Sequence, residues 1–143
     1  MIKGNRKGDT GQGPKSALLQ AYDLTMKASR LGFDWPDIEG IMDKMDEELK
    51  ELKEVLPLQD RKRIEDELGD LLFVLVNAAR FLRINPEKAL TKTIAKFNRR
   101  FGYIEKALEK MGKSFEQSNL AEMDRLWNEA KMKKRIHRRG EKR

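Results

Sequence analysis

The residues best suited to chemistry lie in two short acidic runs, Glu47-Glu48-Leu49-Lys50-Glu51 and Glu67-Leu68-Gly69-Asp70. At about 100° per residue on a helix, Glu48 falls at the edge of an apolar stripe that runs from Ile38 to Leu56, and Glu51 follows one turn further along. Glu67 and Asp70 repeat the three-residue spacing at the start of a second stripe that continues through Val74, Asn77 and Phe81. Two such pairs on neighbouring helices of a hairpin would face one another. Carboxylates gathered in this way lose hydration and repel, and a divalent cation resolves the conflict. Neither cysteine nor histidine is on hand, so the donors are hard oxygens, which select magnesium or manganese over zinc. A bound triphosphate would supply the remaining oxygens, and the chemistry that follows is metal-assisted hydrolysis of a phosphoanhydride by an activated water.

A run such as Glu47 to Glu54 also suits a plain solvated face laced with Glu/Lys pairs, and Asp46 with Lys50 has the spacing for one. The second acidic pair tips the balance. Glu67 and Asp70 flank Gly69, a residue that costs ~1 kcal/mol relative to alanine in a helix interior and so predicts a close helix approach. Directly after them, from Leu71 to Val76, comes the most hydrophobic stretch of the chain.

Positioning these groups requires helices, and the composition supplies them. The chain has 143 residues, enough for one domain with its own core; 38% are charged and only 7% aromatic, which argues against an all-β domain. Five helical segments are predicted. The first covers about Lys15 to Ser29 and stops near Gly32. A second opens at Asp34 or Trp35, with Pro36 in its first turn, and ends at Pro57. The third runs from Gln59 or Asp60 to Arg83, and its run of apolar residues is read as helix rather than strand because no turn residue interrupts it. The fourth spans about Pro86 to Met111, closed by Gly112, and the last opens at Asn119 and Glu122, which resemble a capping box. Almost every position from Leu68 to Leu82 is apolar, so the third helix calls for cover on most sides, and a homodimeric bundle is the natural way to provide it.

Charge is unevenly distributed on a chain of net +7. From Asp43 to Asp70 there are eleven acidic residues against six basic, whereas 131–143 holds eight basic residues and one acidic. The domain is placed at 16–134, between a flexible glycine-rich, basic segment over 1–15 and a basic tail over 135–143. That tail lacks interleaved aromatics and any motif that reads bases, so nucleic acid is not the expected partner. The longest apolar run is six residues, too short for a membrane span, and the expected compartment is the cytoplasm. His137, the single histidine, lies in the basic tail, which disfavours a diiron carboxylate bundle.

The two acidic runs resemble the EExxE and ExxD signature of the MazG nucleoside triphosphate pyrophosphohydrolases, members of the all-α NTP pyrophosphatase superfamily. Gly32-Phe33-Asp34-Trp35 is similar to the lead-in to the metal-binding helix in the C-terminal catalytic half of bacterial MazG. Lys96 to Phe101 is similar to its basic segment, and Leu126 to Lys131 to its closing helix. The likeness covers about 16–134. Many MazG proteins carry two related domains, and this chain holds one.

The resemblance implies an all-α helical bundle completed by homodimerisation and hydrolysis of an NTP or dNTP to the monophosphate and pyrophosphate. It also implies Mg2+, with Mn2+ as a substitute, on Glu48, Glu51, Glu67 and Asp70. Glu47 is left to a second ion or the attacking water, and Lys96, Arg100, Trp127 and Lys131 to the substrate. Their types fit: Lys96 and Arg100 share one helical face and could clamp phosphate oxygens, and Trp127 offers a flat surface beside Lys131. Solvation of the basic pair and packing of the tryptophan are the plain alternatives. Asn77 could reach a substrate or bond a neighbouring helix, and Phe33 and Trp35 could line a base pocket or staple the helix start. A rival reading is a noncatalytic helical dimer that binds nucleic acid or an acidic partner through its basic C-terminal helix.

Overall fold

The computed structural model describes residues 13–140, with side chains through Lys133. Most of the glycine-rich start therefore lies outside the described residues, as do the side chains of the basic tail, His137 included. Every regular element among the described residues is helical. The chain divides into two compact units, residues 1–87 and 88–143.

The first unit is built on three helices, α1 (Ala17–Arg30), α2 (Ile38–Val55) and α3 (Arg61–Phe81). Ser16 caps α1 by accepting from the Leu19 N–H at 3.2 Å. α2 begins later than the sequence suggests. Asp37 caps it, accepting from the Gly40 N–H at 2.9 Å, so Pro36 precedes the cap instead of occupying the first turn. An Asp side chain satisfies an orphan amide that proline cannot, which sets the boundary. A short 3₁₀ turn, Leu56–Leu58, follows, and Gln59 in a left-handed conformation redirects the chain to Asp60, the cap of α3. α3 packs against both α1 and α2. Ile41, Val55, Val76 and Ala78 are buried there. The run Leu71 to Val76 is helical as expected, but it is not covered on most sides: Leu72, Phe73 and Leu75 stay about half exposed in the single chain. Gly69 is a correction of the same kind. A Cβ at that position would meet nothing within 4 Å, so this glycine marks no close approach within the chain.

One polar contact ties the α1–α2 connection to α3. Arg80, buried to 6% exposure, donates to both carboxylate oxygens of Asp34 at 2.7 Å, and Asp34 also accepts from the Ser29 hydroxyl (2.6 Å) and the Trp35 N–H (2.8 Å). The Arg80 hydrogen bonds are the main cause holding the Asp34 carboxyl well below the usual carboxylate range.

The second unit holds most of α4 (Pro86–Lys110) and α5 (Leu120–Gly140), with a 3₁₀ turn at Phe115–Gln117 between them. Gly112 ends the helix region with φ +66°, a left-handed turn that glycine adopts without a Cβ clash. Asn119 accepts from the Glu122 N–H at 2.9 Å, which is half of the expected capping box; the Glu122 carboxylate bonds Lys113 and Ser118 instead. Ile104, Leu108 and Leu126 form a buried cluster, with Tyr103, Met123 and Trp127 packed against it.

Asp34→Ala strands the buried Arg80 guanidinium and should cost about 2–3 kcal/mol at neutral pH, read from urea denaturation. A depressed carboxyl contributes stability that is complete above its unfolded value and lost as pH falls through the folded one. The gap between wild type and Asp34→Ala should therefore hold from neutrality down to about pH 4 and close only in stronger acid.

Candidate metal centre and adjoining cavity

Packing of α2 on α3 brings the two acidic runs together. Glu48, Glu67 and Asp70 each offer a carboxylate oxygen, and the three lie within 4.8 Å of one another. Glu48 is buried, at 5% exposure, in the middle of a helix whose other acidic residues are mostly exposed. One of its oxygens accepts from Lys44 Nζ at 2.8 Å; the other, Oε2, is buried and has no partner, and Glu67 Oε2 is in the same condition. Unpaired buried oxygens are rare in folded proteins because each forfeits its hydration. Two of them beside the exposed carboxylate of Asp70 make a donor set that a hard divalent cation satisfies.

Glu51 is half-buried one turn along from Glu48. Desolvation, followed by the charges of Glu48, Glu67 and Glu47, pushes its carboxyl above the ordinary range, so it stands in the field of the same cluster. Lys44 answers part of this charge. Its ammonium lies 2.8 Å from Glu48 and 3.3 Å from Glu47, and those bonds hold it protonated above its ordinary range. The expected Asp46–Lys50 pair is replaced by these contacts and by Lys50–Glu54 at 3.9 Å. Lys44 was not legible as a site residue from charge pattern alone; its position four residues before Glu48 is the signal that marks it.

Beside the carboxylates, still within the first unit, opens a cavity of about 470 Å³. Lys44 reaches its lining, as do Phe33, Trp35, Phe73, Asn77 and Arg80. Gly40 holds the indole in place by absence: a Cβ there would stand 2.8 Å from the Trp35 ring, so any larger residue would displace it. Phe33 is 85% exposed and Trp35 40%, leaving aromatic surface open to the cavity mouth. Asn77 does bond within the fold, yet its partner is Arg80 on its own helix and not a neighbouring helix. Arg80 was also missed, although it is the only charged residue between Leu71 and Leu82, a pattern that calls for a buried partner.

The other sequence-derived residues belong to the second unit. Arg100 sits with its guanidinium carbon 5.4 Å from the centre of the Trp127 ring, and Phe97 packs on that ring at 5.3 Å. Trp127, read from the sequence as a substrate contact, packs against the Ile104 cluster. Lys96 and Lys131 are exposed.

Residues 37–103 match the MazG nucleotide pyrophosphohydrolase domain. The chain is similar to the nucleoside triphosphate pyrophosphohydrolase/pyrophosphatase MazG of Thermotoga maritima, 45% identical over 115 residues, which is 80% of this chain and 44% of that protein. It is 34% identical to the nucleoside triphosphate pyrophosphohydrolase of Escherichia coli K12 over 117 residues, again 80% of this chain and 44% of that protein. This chain therefore spans less than half the length of both relatives. A shorter match, 53% over 68 residues, links 48% of it to 14% of an uncharacterised protein of Bacillus subtilis.

Millimolar magnesium or manganese should raise the melting temperature by several degrees, since a ligand that binds only the folded state stabilises it by mass action. Glu67→Gln should remove most of that rise and, by taking away one repelling charge, raise the melting temperature of the metal-free protein. Scanning fluorimetry with and without EDTA reads both effects.

Proposed function

We propose, from the premise that the chain belongs to the MazG nucleotide pyrophosphohydrolase family, that it hydrolyses nucleoside triphosphates to the monophosphate and pyrophosphate. The observation that carries this reading is the pair of buried, partnerless oxygens on Glu48 and Glu67, set within reach of Asp70. Glu48, Glu51, Glu67 and Asp70 would hold Mg2+, or Mn2+ in its place. When bound, the ion would offset the polyphosphate charge and lower the pKa of a coordinated water.

The chain's own residues divide the remaining work. Lys44 offsets the charge of Glu47 and Glu48 and stands at the cavity lining, where it can attract a phosphate oxygen. Glu47, 56% exposed at its side chain and paired with Lys44 through one oxygen, has its other oxygen to take the proton of an attacking water. Phe33, Trp35 and Phe73 give the cavity aromatic walls against which a base can lie. Lys96, Arg100, Trp127 and Lys131 remain the proposed substrate contacts on family resemblance; of these, Arg100 and Trp127 lie together as a cation–π pair.

We also propose a homodimer. Leu68, Leu72 and Leu75 form an exposed row at helical spacing on α3, and Leu24 and Leu31 add to the apolar surface of the first unit. No helix among the described residues is long and apolar enough to cross a membrane. Nucleoside triphosphates are cytoplasmic metabolites, and the cytoplasm is the compartment that this reading requires.

A panel of NTPs and dNTPs should release pyrophosphate only with magnesium or manganese. Glu48→Gln and Asp70→Asn should each lower turnover by about 100-fold or more while leaving helical content unchanged. Salt-dependent oligonucleotide binding that survives both substitutions, with no turnover in wild type, would instead favour a nucleic-acid-binding dimer. Light scattering should give twice the mass of the chain.

A further inference from the structure

We propose that Asn77 is a specificity-determining residue of the cavity beside the carboxylates. Its amide donates to a base that carries an oxygen, not an amino group, at the position of uracil O4 or hypoxanthine O6. This rests on the pyrophosphohydrolase reading and names the substrate class within it.

An asparagine side chain can face a base in two ways, as donor through its NH2 or as acceptor through its oxygen. Here the choice is made by Arg80. Its Nε and Nη2 donate to Asn77 Oδ1 at 3.0 Å and 2.6 Å. A guanidinium has no acceptor, so only the amide oxygen can face it. Two donors occupy both lone pairs of that oxygen. What Asn77 can offer a ligand in the cavity it lines is therefore its N–H groups.

Arg80 cannot easily release the amide. Its Nη1 and Nη2 donate to the two Asp34 oxygens at 2.7 Å, and Asp34 is held in turn by Ser29 and the Trp35 N–H. Swinging the guanidinium away would leave a charge at 6% exposure without its counterion. The same contacts commit Asp34, the one anion lining the cavity, so it is not left over to accept from a base amino group. The walls contributed by Phe33, Trp35 and Phe73 suit the flat faces of a heteroaromatic ring.

Base edges differ in what they ask of this site. Uracil, thymine, guanine and hypoxanthine present a carbonyl where cytosine and adenine present an amino group, and the amino group needs an acceptor. Reading adenine by paired donation and acceptance would require the amide oxygen that Arg80 already holds. An amino group set against the Asn77 N–H leaves two donors facing each other and unpaired, the kind of mismatch that discriminates most strongly between close analogues.

Two substrate pairs, UTP against CTP and ITP against ATP, exchange oxygen for nitrogen at this position and keep the same ring size. With magnesium present, kcat/KM should favour UTP over CTP and ITP over ATP by about tenfold or more. In Asn77→Asp one carboxylate oxygen can keep Arg80 while the other accepts, and the order within each pair should reverse. Equal kcat/KM within both pairs, or a preference for the amino base, overturns the proposal and leaves the hydrolase reading standing. So does an unchanged order in folded Asn77→Asp. Loss of all turnover on the four substrates overturns the hydrolase reading itself, and this proposal with it. The wild-type ratios decide the matter even where the variant does not fold.

Discussion

Mutual repulsion between acidic turns on α2 and α3 is the constraint around which the first unit is organised. Helix packing normally draws apolar faces together and leaves charge outside, yet here burial includes Glu48 and an oxygen of Glu67. Neither oxygen gains a hydrogen bond in return. A fold that only needed to be stable would place leucine or methionine at these positions and lose nothing. Keeping carboxylates there costs stability in the metal-free state, and the raised Glu51 carboxyl shows the same strain on a third residue. Lys44 offsets one oxygen of Glu48 and part of Glu47, which leaves the inward oxygens for a cation.

Much of this was readable from the residues. Three-residue spacing of Glu67 and Asp70 on a helix that turns apolar immediately afterwards was enough to place them against the other acidic run. Glu48 at the edge of an apolar stripe is the one glutamate of its run that is buried. Helix starts were less legible. Pro36 and Asp37 both favour a helix N-terminus, and only the hydrogen bond to Gly40 shows that the aspartate takes the cap. Gly69 was not legible for a physical reason: a glycine inside a helix leaves room for a close approach without saying whether the neighbour belongs to the same chain.

Partnerships across long sequence separation were the hardest to read. Asp34 and Arg80 are 46 residues apart, and neither residue names the other. What the sequence does contain is half of the puzzle, a single cation inside an apolar helix segment. Asn77 is similar. Its place on the stripe after Asp70 was evident, but the direction of its amide depends on where Arg80 points, and that depends on Asp34. Orientation of a polar side chain is a third-order consequence of sequence, reached only once packing is known.

The cluster and the clamp solve opposite problems with the same kinds of atoms. At the clamp, a buried cation is met by a carboxylate that is itself held by a hydroxyl and a backbone amide, so nothing is left unpaired and the α1–α2 connection is fixed to α3. At the cluster, anions are brought together and left incomplete. Rigid support beside an unsatisfied centre is what preorganisation requires, since flexible carboxylates would relax outward into water and abandon the geometry that a cation needs. α3 carries both, with Glu67 and Asp70 in its first half and Asn77 and Arg80 in its second. Because a helix transmits position along its axis with little give, fixing Arg80 also fixes the register of the acidic pair. The stability gained where charge is paired thus sustains the site where it is not.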